Sequence, residues 1–270
     1  MPPSNGWGDP DVRPLRHPGS RVTGLEIALA LAIGLVIGGV VGLLGAGGSI
    51  LTVPALMLAL GLTATQATGT SLVVVAIVAG VGAIGHGRAG RVDWRSGTVF
   101  AAVGVPAAVL GGRGSVLLSD VALTLILVGL LGVTAMWLWR REVPEVAPEP
   151  ATWRRVVPAG IGLGVVTGML GVGGGFMAVP ALAGLVGLPL PVAIGTSQVV
   201  LVVNALAGLG GRVGSGSVQL VPGLILALGG TVGSFLSSRL VGRVSSDGLT
   251  RLLVGLLVLV SIALVVDLAI

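Results

Sequence analysis

The chain has 270 residues, 54% of them hydrophobic and only 9% charged; a soluble domain carries about 25% charged residues, so an ordinary water-soluble globule is excluded and lipid is the implied solvent. Fifteen basic residues, all arginine, against ten acidic ones give a formal charge of +5, but arginines set between apolar runs mark membrane orientation and exclude a nucleic-acid-binding face. The lack of cysteine excludes disulfides and thiolate metal sites.

Residues 1–21 are rich in Pro, Gly and polar groups and read as a disordered cytoplasmic tail without a signal-peptide cleavage site. Residues 22–139 form a first transmembrane repeat, with apolar runs near 22–44, 69–87, 95–112 and 119–139. A shorter apolar piece near 49–61 follows a glycine cluster and contains Pro54. Residues 140–155 are a charged, Pro-rich cytoplasmic linker. Residues 156–270 form a second transmembrane repeat, with runs near 156–170, 192–211, 218–238 and 248–268 and a short piece near 175–187 containing Pro180. The expected fold class is therefore an all-α polytopic membrane protein, with two tandem repeats of about four transmembrane helices plus a short broken or re-entrant helix each.

The duplication is explicit. Gly42–Leu56 (GLLGAGGSILTVPAL) and Gly168–Leu182 (GMLGVGGGFMAVPAL) share nine of fifteen positions at an offset of 126. The same ungapped offset relates Gly69-Thr70-Ser71 to Gly195-Thr196-Ser197 and Arg113 to Arg239. Paired repeats in membranes are characteristic of secondary transporters, whose halves rock around a site at their interface. With four crossings per half, eleven arginines share one side and four the other. That partition puts both termini in the cytoplasm of a multi-pass protein of the cell inner membrane. If the short pieces crossed fully, each half would have five spans and the repeats would be inverted. Eight spans plus two broken elements is the preferred arrangement.

Candidate chemistry lies at the two glycine clusters, represented by Gly45, Gly47 and Gly48 and by Gly171, Gly173 and Gly174. Glycine lets the backbone unwind at membrane depth, and the following short helix would aim free N–H groups and its positive dipole end at an anion. Tight packing is the bland alternative for such glycines. Thr70, Ser71, Thr196 and Ser197, beside Gln66 in one half and Gln198 in the other, add neutral donors suited to an oxyanion that must bind and leave. Asn204 lies further along the second-half helix. His86 and its repeat mate Arg212 would hold positive charge at the inner pathway mouth, with plain interfacial anchoring as an equal alternative. Glu26 and Asp267 lie near span ends and read as snorkelling residues.

The pattern G-x-G-G-(G/S) followed by V-P-A-L, then A-x-G-T-S, then His86, Gly90, Val92 and Asp93, resembles the sulfite exporter TauE/SafE family over about residues 24–268. The second half carries Arg212, Gly216, Val218 and Gln219 at the last element instead. The resemblance implies a permease for sulfite, sulfonates and related small anions. The expectation is a non-enzymatic transporter working by alternating access, without cofactor or metal. Its partners would be a small anionic substrate and the lipid bilayer, with no nucleic acid and with homo-oligomerisation left open. Two rivals are a structural or assembly subunit and an intramembrane serine hydrolase. The hydrolase would pair Ser71 with His86, about 22 Å apart along one helix, too far for a hydrogen bond.

Overall fold

The computed structural model describes residues 24–44, 50–140, 153–238 and 246–269. The expected tail, the cluster Gly45, Gly47 and Gly48 and most of the 140–155 linker lie outside them. Every described element is helical: α1 (Gly24–Leu44), α2 (Thr52–Leu60), α3 (Ala64–Arg88), α4 (Trp94–Leu117), α5 (Asp120–Arg140), α6 (Trp153–Leu170), α7 (Gly175–Leu185), α8 (Leu190–Gly211), α9 (Leu220–Ser238) and α10 (Ser246–Ala269). Helices α3, α4 and α8 contain stretches long and apolar enough to cross a bilayer. The starts of α3, α4 and α5 recur as the starts of α8, α9 and α10 exactly one 126-residue offset later.

Local signals explain several boundaries. Thr63 caps α3 by accepting from the Gln66 amide, while the Gln66 side chain accepts from the Thr63 amide at 3.3 Å. Gln66 thus spends its side-chain oxygen on a capping box. Asp93 caps α4 and also accepts from the Ser96 hydroxyl at 2.6 Å. Pro180 stands inside α7, not in its first turn.

Burial is inverted relative to a soluble protein. Thr70, Ser71, Thr167, Thr196, Ser197, Asn204 and Arg212 are all buried, while Leu110, Val133, Leu228 and Leu259 are exposed on the outer faces. An apolar exterior around a polar interior is what a lipid solvent selects. At the centre, Leu72, Val75 and Ala79 of α3 pack on Leu201 and Ala205 of α8. Around this pair the repeats interlock: α1 packs on α9, and α4 packs on α6. Glycine permits both crossings. A Cβ on Gly38 would fall on the carbonyl oxygen of Gly230, and one on Gly164 would fall on that of Gly104. These two pairs are repeat mates of each other.

Contacts also set the helix directions. The Arg212 end of α8 bonds to Thr65 and Thr68 at the start of α3, whereas Thr196 near the start of α8 bonds to Asp93 past the end of α3. Helices α3 and α8 therefore run antiparallel. Gly97, Gly104 and Gly112 of α4 meet Thr196, Asn204 and Gly208 in ascending order, so α4 and α8 are parallel. Gly160, Gly164 and Gly168 meet Phe100, Gly104 and Ala108, so α6 shares that direction. By the same reasoning α9 follows α3 (Gly223 on Thr70, Gly230 on Val78), and α1 follows α9 (Gly34 on Leu226, Gly38 on Gly230).

Consecutive long helices α1 and α3 thus point the same way, as do α6 and α8. The chain must return between them, and α2 and α7 carry it back. This corrects the expected re-entrant pieces, which would leave α1 opposed to α3. A helix of eleven residues covers only about 16 Å, and the non-helical residues 171–174 and 186–189 supply the remaining reach. Segment length alone suggested a half-crossing because it ignored those flanks.

Candidate functional site

The second glycine cluster is fully described. Gly171, Gly173 and Gly174 have φ of 65°, 69° and 55°, left-handed values that cost other residues about 1–2 kcal/mol. They end α6, reverse the chain and start α7, all within buried surroundings. The Gly174 carbonyl accepts from the amides of Met177 and Ala178 at 2.9 and 2.8 Å, which opens α7. The amides of Gly173, Gly174 and Gly175 donate to no acceptor among the described residues. Such an end concentrates donors and partial positive charge.

One further group faces this turn and a second lies beside the end of α6 that leads into it. The hydroxyl of Thr167 is buried without a partner, and a Cβ on Gly174 would lie 2.9 Å from it. Arg212, 2% exposed, reaches in from just beyond α8. Its guanidinium donates to the carbonyls of Thr65 at 3.0 Å and Met169 at 2.9 Å and to the Thr68 hydroxyl at 2.9 Å, leaving Nε unpartnered. All three acceptors are neutral, and among the described residues no carboxylate bonds the cation directly. The carboxylate of Asp120, one residue away in this network, is held by the Thr65 amide at 2.8 Å and hydroxyl at 2.7 Å. Burial lowers the Arg212 guanidinium to about 10, so it stays protonated at neutral pH. Ser71 completes the corner by donating to the Gly171 carbonyl at 2.7 Å and to the Thr68 carbonyl at 2.9 Å.

The Gly-Thr-Ser elements have another use. The Thr70 hydroxyl accepts from the Gln219 amide, and the Thr196 hydroxyl accepts from the Asp93 amide, both at 2.9 Å. A Cβ on Gly69 would lie 2.7 Å from the Ser217 carbonyl, and one on Gly195 would fall on the Arg91 carbonyl. Each motif therefore seats the loop after the third helix of the other half. Ser197 donates to the Ile194 carbonyl at 2.7 Å. Gln198 is buried across α8, lining a cavity of about 20 Å³ with Thr52, the first residue of α2, and with Gly38, Val78 and Gly230. That is room for about one water.

Hence Ser71 meets Gly171 and Arg212 reaches the neighbouring Thr68 and Met169, while Thr70 and Thr196 accept loop amides and Ser197 bonds within α8. His86 is half-buried at the opposite end of the α3–α8 pair, its Cβ 2.9 Å from where a Gly195 Cβ would lie. His86 and Arg212 cannot form one mouth, because antiparallel packing puts repeat mates at opposite ends. Thr167 is absent from the sequence-derived set. Its only signal is asymmetry, since its repeat mate is Val41.

Comparison with known proteins places this architecture. The family model described as "Sulfite exporter TauE/SafE" matches residues 30–264. A "Probable membrane transporter protein" of Xylella fastidiosa strain Temecula1 is 35% identical over 178 residues, covering 64% of this chain and 68% of that protein. The probable membrane transporter protein YunE of Bacillus subtilis strain 168 is 27% identical over 210 residues, covering 68% of this chain and 77% of its own length. YdhB of the same strain, with the same description, is 27% identical over 189 residues, 67% of this chain and 76% of its own. No solved structure gives a significant match. With the family pattern running over nearly all the described helices, the chain belongs to the sulfite exporter TauE/SafE family.

Proposed function

We propose that this membrane transporter carries a small oxyanion, sulfite or an organosulfonate, across the cell inner membrane by alternating access. The observations that support it are the free amides at the start of α7 with the orphan Thr167 hydroxyl beside Gly174, and the buried Arg212 cation, which bonds only neutral acceptors, on Thr68 and Met169 at the same end of α6. An unpaired buried hydroxyl costs about 1–3 kcal/mol, and a buried cation without a counter-charge costs more. An oxyanion would offset both by accepting from the amides and hydroxyl and by supplying the missing charge. The glycine, rather than a second arginine, lets the ion leave again. Export is the favoured direction, because moving one anion out of a negative interior releases about 2.3 kcal/mol per 100 mV. Purified full-length protein in liposomes loaded with sulfite, taurine or methanesulfonate is expected to release at least one of them faster than protein-free liposomes. Efflux equal to the blank across the panel would refute transport.

The two halves are read as five-element inverted repeats related by an axis in the membrane plane, in place of four-span repeats. Among the described residues, one face then holds seven arginines, Arg88, Arg91, Arg95, Arg140, Arg154, Arg155 and Arg251. The other holds Arg113 and Arg212, with the start of α1 and the end of α10. The arginine excess marks the cytoplasmic face, so the termini and the Arg212 corner lie toward the outside and the 140–155 linker toward the cytoplasm. Because the chain has no cysteine, single introduced thiols report this directly. Ala89→Cys, in the α3–α4 loop, is expected to resist an impermeant maleimide added to intact cells. Ser119→Cys, in the α4–α5 loop, is expected to react. The reverse pattern would restore cytoplasmic termini.

A further inference from the structure

Asn204 of α8 is 0% exposed, and neither the oxygen nor the nitrogen of its amide has a hydrogen-bond partner. It lies against Gly104 of α4, where a Cβ would stand 2.6 Å from Oδ1 and 2.8 Å from Nδ2. The repeat supplies a control that the molecule itself contains. One offset earlier, Val78 of α3 occupies the same niche against Gly230 of α9, where a Cβ would stand 3.0 Å from Val78 Cγ2. A valine therefore fills this niche without polar cost. The second half instead keeps an amide with both a donor and an acceptor unsatisfied, at membrane depth, where each such group is expensive.

Asn204 is also connected to the proposed site. Gly104 is the glycine whose carbonyl Gly164 abuts, and one turn further along the same helices Gly208 meets Gly168. Thr167, the other orphan, lies on α6 between those two contacts. The two unsatisfied side chains thus sit within one α4–α6–α8 packing unit, about one helical turn apart along it. Both are replaced by valine in the first half, at Val78 and Val41.

We infer that Asn204 is a substrate-contacting specificity residue, deeper than the Arg212 corner, selecting an oxyanion that itself carries a hydrogen-bond donor. This rests on the transport reading above. An amide offers NH₂ to an anionic oxygen and C=O to an O–H or N–H. A plain alkylsulfonate satisfies only the first. A hydroxy- or amino-sulfonate satisfies both, and a site built to bond a ligand hydroxyl discriminates against the analogue lacking it.

The test uses purified full-length protein and two matched probes, ethanesulfonate and 2-hydroxyethanesulfonate, with binding read by calorimetry or ligand-induced thermal shift. Wild type is expected to bind the hydroxylated probe about fivefold more tightly, the worth of one hydrogen bond. Asn204→Val is expected to melt no lower than wild type without ligand, to bind ethanesulfonate about fivefold more weakly through loss of the NH₂ contact, and to lose the preference for the hydroxylated probe. Asn204→Ala repeats the comparison as a second variant and is expected to lose the preference too. Equal binding of both probes by wild type, or an unchanged preference in the variant, would overturn the inference while leaving transport intact. Binding of neither probe by wild type would overturn the inference, and the efflux panel that includes sulfite would then decide the transport reading separately. Valine melting well below wild type would mark Asn204 as structural and also sink the inference.

Discussion

Arg212→Gln is expected to slow anion flux about thirtyfold in proteoliposomes while the protein still folds and reconstitutes. The substitution keeps amide donors near Thr65, Thr68 and Met169 but removes the charge. A unit charge acting on an anion about 8 Å away at an effective dielectric of about 20 contributes about 2 kcal/mol, which is the stated factor. Stability should change far less, because two effects oppose. Losing a charged hydrogen bond costs about 1.5–3 kcal/mol, but the protein no longer buries a cation among neutral acceptors, a penalty of similar size. Arg113→Gln supplies the control: Arg113 is exposed, and flux through that variant should match wild type. Unchanged flux through Arg212→Gln would remove the cation from the site. A protein that unfolds instead would make Arg212 a structural tie between α3, α6 and α8.

The second large effect is steric. Gly164→Ala should lower the melting temperature by roughly 5–10 °C, corresponding to an overpacking cost of about 3 kcal/mol. The new methyl would meet the Gly104 backbone, which cannot move aside as a flexible side chain can. Gly162→Ala, two residues away on the same helix, meets nothing within 4 Å. It should be neutral or stabilising by about 0.5–1 kcal/mol through helix propensity. Gly38→Ala should reproduce the loss, because Gly38 on Gly230 is the repeat mate of Gly164 on Gly104. Equal melting of the Gly162 and Gly164 variants would mean that α4 and α6 do not cross as closely as described. A large loss at Gly164 without one at Gly38 would argue against equivalent crossings.

These contacts show which parts of the sequence were readable. Helix positions were: the apolar runs carry helices, and the glycine cluster at 171–174 does break the chain between α6 and α7. The corner around Gly171, Gly173 and Gly174 was partly readable too, since glycine between two apolar helices has few other uses at that depth. Thr167 was not marked by composition or motif, and Asn204 was marked only as a polar residue further along the second-half helix. Each is a single polar residue in a helix, and only the valine at its repeat mate sets it apart. The loop contacts of Thr70 and Thr196 were not readable either: their hydroxyls accept from the amides of Gln219 and Asp93, residues distant in sequence.

The amino-acid sequence by itself determined that the chain is helical, that its exterior must be apolar and that one unit occurs twice, because hydropathy, glycine placement and repeat register are local properties. Tertiary structure alone decided the direction of each helix, the exchange of α1 and α6 onto the opposite half, and the separation of His86 from Arg212. Direction depends on whether a short element returns across the layer, and a hydropathy pattern reads the same along either course. Only the contacts of α3 with α8, made end to opposite end, distinguish the two.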